Sequence, residues 1–273
     1  MFEDKTENTQ IINDNQEIKE YSSNVTFVTC CIKLYQNEVY KNIEWRIEMF
    51  RLMLSSNIKI ICYGCEYTIP ILIELEKEFS NLKILKLDIP YKNTAIYKLC
   101  QDNKCVLPTL KTEYKDTLEF LTLMNSKTEF LNDAIKKNYW NSNVFAWIDF
   151  SIWGIFNKKE ETYENIYKLS KKKFINNFLA FPGCWNKIEE GVICENICWR
   201  FCGGFFIGDK HSIIKFHELY LKYFPIFLEK YGKIVWEVNF WTWLETNKLF
   251  DPIWYYSNHN DEIIKIPDFL YIS

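Results

Sequence analysis

Apolar positions along this chain follow two periods, and the alternation between them organises residues 24 to 150. Val25-Thr26-Phe27-Val28-Thr29-Cys30-Cys31 is a compact run rich in β-branched residues, which predicts a strand. Over 41–55 the apolar residues move to helical spacing at Ile43, Ile47, Phe50 and Leu54. Ile58-Lys59-Ile60-Ile61-Cys62-Tyr63 predicts a second strand, ended by Gly64. Ile69, Leu72, Leu75 and Phe79 mark a helix starting at Thr68, with Pro70 in the first turn where a missing N–H is harmless. Leu82-Lys83-Ile84-Leu85-Lys86-Leu87 predicts a third strand, closed by Asp88 and Pro90. Strands alternating with helices imply a largely parallel sheet with right-handed crossovers.

Residues 91–113 are less regular. Helix returns over 114–138, with Leu118, Leu121, Met124 and Leu131 on one side. Val144-Phe145-Ala146-Trp147-Ile148-Asp149-Phe150 is apolar until its end, as a central parallel strand buried on both faces must be. It delivers one carboxylate, Asp149, to its carboxyl-terminal edge, where open α/β sheets bind ligands. In the second half, helix is expected at 160–173, and a strand or turn at 176–180. The run Gly203-Gly204-Phe205-Phe206-Ile207-Gly208-Asp209 follows. Helix is then expected at 210–230, with Ile213, Phe216, Leu219, Leu221 and Phe224 as core candidates. An aromatic helix spans 236–247, and short β segments fill 253–272. Residues 1–23 are polar and aperiodic, which predicts a flexible tail before a single domain over 24–273.

Of 273 residues, 48% are hydrophobic and 18% aromatic, which excludes a disordered chain and permits a core without covalent staples. The aromatic content suits sugar binding, because ring faces pack on pyranose C–H faces, and it equally suits core filling. A net charge of −3 lacks the basic footprint of a nucleic-acid binder. No apolar run reaches the ~20 residues of a membrane span. With no secretory leader in evidence, the expected location is cytoplasmic: host cytoplasm or virion, if the source is viral. The ten cysteines are therefore read as mostly reduced and buried. Cys62-Tyr63-Gly64-Cys65 has no second CxxC partner; Cys194, Cys198 and Cys202 share one face of a helix or strand and form a weak zinc candidate.

Several residues can carry chemistry, each with a structural alternative. Asp149 at its strand tip can ligate a hard divalent cation bridging two phosphates, or can cap a helix or pair with a base. The next residues are Phe150-Ser151, so a hydroxyl stands where an Asp-x-Asp motif has its second acid. Gly203-Gly204 allows close backbone approach to a ligand, or makes a bulge or tight turn. Neither a P-loop nor a Rossmann fingerprint is present. Glu237, among aromatics, can act as general base toward a sugar hydroxyl, or sit at a helix start favoured by the dipole. His259 in a late polar loop can serve as an imidazole ligand, or be solvated; His211 and His217 are expected on a surface helix. Lys127 and Arg46 can pair with a diphosphate or be ordinary helix cations.

In this order, Thr26-Phe27-Val28-Thr29, the Arg46 helix, Ser126-Lys127, Trp147-Ile148-Asp149-Phe150, Gly203-Gly204-Phe205-Phe206-Ile207-Gly208, Glu237-Val238-Asn239 and Asn258-His259 resemble the HtrL/YibB-type glycosyltransferase-like family. More broadly they are similar to GT-A enzymes of bacterial polysaccharide clusters and large DNA viruses. The resemblance spans about residues 25–265. It implies a GT-A α/β fold, with a mostly parallel central sheet flanked by helices. It implies a UDP-linked nucleotide-sugar donor, a glycan or protein hydroxyl acceptor, and Mn²⁺ or Mg²⁺. It places Asp149, Ser151 and His259 at the metal, and Thr29, Arg46, Lys127, Asp149, Gly203 and Gly204 around the donor. Glu237 becomes the acceptor-side acid, with Asp209 as second choice if transfer inverts. The alternative is a catalytically inactive carbohydrate-binding protein on the same fold. A nucleotidylyltransferase is disfavoured, because the glycine-rich first loop with a basic residue is missing.

Overall fold

A computed structural model describes residues 24–34, 42–87, 92, 94–113, 115–188 and 195–272. The tail expected over 1–23, the Asp88–Pro90 strand stop and Cys194 lie outside the described residues. The first strand is β1 (Val25–Cys31), followed by α1 (Ile43–Ser55), β2 (Lys59–Gly64), α2 (Ile69–Glu78) and β3 (Leu82–Lys86). Then come α3 (Ala95–Asp102), α4 (Leu118–Asn125), α5 (Lys127–Lys137) and β4 (Val144–Ile148). After a 3-10 turn at Ile152–Ile155 run α6 (Lys159–Lys171), β5 (Leu179–Gly183), β6 (Phe205–Asp209), α7 (Lys210–Tyr231), α8 (Glu237–Thr246) and β7 (Ile253–Tyr256).

The strands form one sheet in the order β3-β2-β1-β4-β6-β5-β7. Neighbours pair in parallel except at β6, which is antiparallel to both β4 and β5. Every strand but β6 therefore ends on one edge of the sheet. This is the expected α/β architecture, a mostly parallel central sheet flanked by helices. The reversal at β6 explains why Gly203-Gly204, although N-terminal to its strand, lands on the same edge as Asp149.

Period-two alternation in the strands separates two apolar layers. Val28, Cys30, Phe145 and Trp147 face α3, α4, α5, α7 and α8. Phe27, Cys31, Ala146 and Ile148 face α1, α2 and α6. The aromatic wealth is concentrated in the first layer. There Phe181 stacks on Phe206 at 4.9 Å and meets Phe216 and Trp241 edge-on, which is the arrangement ring quadrupoles favour.

Local differences from the sequence reading have physical causes. The irregular stretch contains α3, whose N-cap Thr94 accepts from the Tyr97 N–H and whose Ala95 and Ile96 amides bind the Glu129 carboxylate. The helix expected over 114–138 is two helices: Thr117 caps α4, and the backbone turns at Ser126 before α5. β5 begins at Leu179 rather than 176, and after β7 the chain forms 3-10 turns instead of further strands. His217 is buried in α7, its Nδ1 3.2 Å from the Thr128 hydroxyl, and not on a surface.

Candidate functional site

Asp149 follows β4, the strand buried on both faces, and emerges half-exposed at the sheet's carboxyl edge. Its orientation is fixed from two sides. Trp147, two residues back on the same face of the strand, donates its indole N–H to Asp149 Oδ1 at 2.7 Å. Lys127 Nζ stands 3.2 Å from the same oxygen. Oδ2 is hydrogen-bonded to nothing among the described residues and lies beside the Gly204 α-carbon, 3.5 Å from where a Cβ there would sit.

Lys127 is the first residue of α5 and is buried. Its ammonium also donates to Glu237 Oε1 at 2.7 Å and to the Gly203 carbonyl at 2.8 Å. The three contacts match its three N–H donors. Burial alone would pull its pKa down, but the Asp149 and Glu237 charges more than offset this, and the pKa is raised. The ion is therefore a permanent cation joining α5, α8, the β4 tip and the loop before β6. Burial also raises the thiol pKa of nearby Cys30 well above its ordinary value, reinforced by the Asp149 charge.

The glycine pair has a steric reason. A Cβ at Gly203 would come within 2.2 Å of Glu237 Oε1, and one at Gly204 within 2.7 Å of Ile152 Cδ1. Neither glycine has a positive φ. They are small because the acid, the lysine and the 3-10 turn close in on that backbone.

The structure thus gathers Asp149, Lys127, Gly203, Gly204 and Glu237, and puts Ser151 two residues beyond Asp149, half-exposed in the turn. Arg46 also approaches: its guanidinium lies 5.6 Å from the Phe150 ring, half-exposed on α1. The other expected members are placed differently. Lys127 makes its three contacts inside the protein, so it orders the site rather than meeting a diphosphate. Glu237 is buried against that lysine, so it is not presented to an acceptor. Asp209 pairs with Val144 at the opposite end of β4, about 16 Å of strand from Asp149. There it caps α7, accepting from the His211 and Ser212 amides, and it is removed from the candidate bases. Thr29 is fully buried in β1, two residues short of the strand's end, and its hydroxyl has no hydrogen-bond partner among the described residues. His259 is exposed in the loop beyond β7, the edge strand, with its ring 4.8 Å from that of Trp199.

Among the described residues no three His, Cys, Asp or Glu side chains gather as a metal cage. Asp149 Oδ2 and, two residues on, the half-exposed Ser151 hydroxyl are oxygen groups of the kind that Mg²⁺ or Mn²⁺ takes as ligands. Sequence reasoning missed Trp147 as the anchor of Asp149, although its position two residues back on one strand face makes it legible. It also missed the Lys127–Glu237 pair, whose members lie 110 residues apart.

Fold and site together define an α/β protein with a mostly parallel sheet and a single acid at the tip of its central strand. The family model described as "Bacterial protein of unknown function (HtrL_YibB)" matches residues 71–235, more than half the chain, and the chain belongs to that family. No curated protein sequence matches it. Among solved structures it is similar to 4-diphosphocytidyl-2C-methyl-D-erythritol synthase from Anaerococcus prevotii, at 11% identity and TM-score 0.41, covering 86% of this chain and 87% of that one. It is also similar to mouse xyloside xylosyltransferase 1 in its apo form, at 9% identity and TM-score 0.45, covering 86% and 85%. No helix among the described residues is long and apolar enough to cross a membrane.

Proposed function

We propose that this protein transfers a sugar from a nucleotide-diphosphate donor, UDP-linked, to a glycan or protein hydroxyl. The observation that carries the proposal is Asp149: a carboxylate at the carboxyl end of a central buried strand, locked through one oxygen and open through the other.

In this reading Asp149 Oδ2 and Ser151 are the residues that would hold Mg²⁺ or Mn²⁺. When bound, the cation supplies positive charge that stabilises the leaving diphosphate. Arg46 adds a fixed cation on the α1 side. Lys127 and Glu237 are positioning residues: their pairing holds Asp149 and the Gly203 carbonyl in register, so the site pays little reorganisation on binding. Glu237 held in this way suits a transfer that needs no base at that position. Trp185 and Tyr256 are exposed near the carboxyl ends of β5 and β7, and Trp199 lies beside His259. These rings suit the C–H faces of an acceptor sugar.

The test is to incubate the folded protein with a panel of UDP-sugars and Mn²⁺ and measure UDP release, with Asp149→Asn as control. Release that disappears in the variant supports the reading. No nucleotide binding and no release with any donor would sink it.

A further inference from the structure

Cys184 follows the last residue of β5, and Cys202 immediately precedes the Gly203-Gly204 backbone. The two segments run side by side. The Cys184 and Trp185 amides donate to the Trp199 carbonyl at 2.9 and 3.0 Å, and the Cys202 amide donates to the Pro182 carbonyl at 2.7 Å. This pairing brings the two sulfurs to 3.5 Å. A disulfide bond is about 2.05 Å long, so about 1.5 Å of approach separates the thiols from bonding. Their access differs: Cys184 is half-buried, whereas Cys202 is fully buried. Burial, with Cys184 beside it, holds the Cys202 thiol far above its ordinary pKa. Cys198, close by in sequence, is differently occupied, its sulfur accepting from the Thr242 hydroxyl at 3.4 Å.

We propose that Cys184 and Cys202 form a thiol–disulfide exchange site whose co-reactant is a low-molecular-weight disulfide of the glutathione type. The accessible Cys184, as thiolate, attacks one sulfur of the small disulfide. A mixed disulfide forms, and the first small thiolate leaves and takes up a proton. Cys202 then attacks the Cys184 sulfur as its proton passes to the departing small thiolate. The internal S–S bond forms, and the second small thiol leaves. Two protein thiols are oxidised and one small disulfide is reduced to two thiols. The bond has a consequence at the candidate site. Cys202 is joined to Gly203, whose carbonyl accepts from the Lys127 ammonium that holds Asp149. Drawing Cys202 toward Cys184 displaces that carbonyl and loosens the clamp. This coupling rests on the nucleotide-binding reading above; the disulfide itself does not.

The experiment equilibrates the whole chain over graded ratios of reduced to oxidised glutathione, alkylates remaining thiols, and maps peptides without reduction. The expected product is a Cys184–Cys202 cross-link that dithiothreitol reverses. Cys202→Ser should instead leave Cys184 as a glutathione adduct, and Cys184→Ser should leave Cys202 unmodified. Separate alkylation of both residues at every ratio, or cross-linking of either to another cysteine, overturns the proposal. UDP affinity is measured on the same samples, and at least ~5-fold weaker binding by the oxidised form is expected. Equal affinity overturns the coupling alone. Failure of the reduced form to bind UDP defeats the nucleotide reading, and the coupling with it, while the peptide map still decides the disulfide.

Discussion

Two buried ionic clusters hold the Arg200–Gly204 segment, one through the Arg200 side chain and one through the Gly203 carbonyl, and they are built for different ends. Arg200 and Glu245 form a closed pair. Arg200 Nε and Nη2 reach the two Glu245 oxygens at 2.8 and 2.7 Å, with side chains only 6% and 3% exposed. The rest of the guanidinium binds the Trp185 carbonyl and stacks 4.3 Å from the Trp254 ring. Charges balance one to one, and the planar fork matches the carboxylate. The Lys127 cluster sets one cation against two acids, and one of these, Asp149, has a side chain 40% exposed. A sealed, balanced pair orders a loop. An unbalanced cluster open on its acidic side retains negative charge facing solvent, where a cation and its ligand can complete it.

Removing a buried cation gives the largest expected effect. Lys127→Met leaves two carboxylates facing each other without a partner and should cost about 3–5 kcal/mol, read as a fall in urea midpoint. Adding Glu237→Gln should recover a large part, because it removes the uncompensated buried charge. Glu245→Ala should cost a similar amount by the same argument, yet its folded fraction should keep UDP affinity. A Lys127→Met loss below about 1 kcal/mol would show that the cluster is not a buried charge network. Loss of UDP binding in folded Glu245→Ala would erase the distinction between the two clusters.

Asp149→Asn tests the open side. The amide still accepts from Trp147 but cannot offer a charged oxygen. UDP release should fall on the order of 100-fold, with stability changed by less than ~1 kcal/mol, since the side chain is partly solvated. A large stability loss with activity retained would assign Asp149 to the structural class.

Next in size is an acid effect beside Thr128, the neighbour of Lys127 on α5. His217 packs on Thr128, and burial first, then the Lys136 charge, depresses its pKa from 6.5 to about 4. The unfolded chain therefore binds a proton that the folded chain refuses between these values. The stabilisation of the neutral ring is complete above pH 6.5 and is lost as pH falls toward 4, on the order of 2–3 kcal/mol. His217→Asn should flatten this slope in denaturation curves at pH 4 to 7. An unchanged slope would place the acid sensitivity elsewhere.

Much of this layout was legible in the chain before any coordinates. The uniformly apolar run ending at Asp149 identified β4 and its edge because a strand buried on both faces leaves a one-dimensional trace. α1, α2 and α7 were legible from apolar residues at helical spacing. Two features were not. The broken helix around Ser126 keeps its apolar period across the break, so spacing cannot show it. The partners of Lys127 come from α8, β4 and the β6 approach, and no local pattern encodes a pairing across 110 residues. Read locally, Lys127 was a helix cation free to meet phosphate; in three dimensions it is sealed inside. Asp209 misled in the opposite way. An acid after an apolar strand resembles Asp149, but β6 runs backwards, so its end lies on the other edge, where the acid caps a helix.

The smallest effect concerns Ser151, and it sharpens the open-cluster argument most. If Asp149 Oδ2 and the Ser151 hydroxyl share a cation, Ser151→Ala removes a neutral ligand that water can replace. The loss should be only a few-fold, about 1 kcal/mol, and should appear as a higher Mn²⁺ requirement rather than a lower maximal rate. Ser151→Asp restores an acid at that position and should lower the Mn²⁺ requirement below that of the native protein. The two variants must move in opposite directions if the hydroxyl faces the cation. If both leave the Mn²⁺ dependence unchanged while Asp149→Asn abolishes UDP release, the acid acts alone, and Ser151 merely starts the 3-10 turn that packs Ile152 against Gly204.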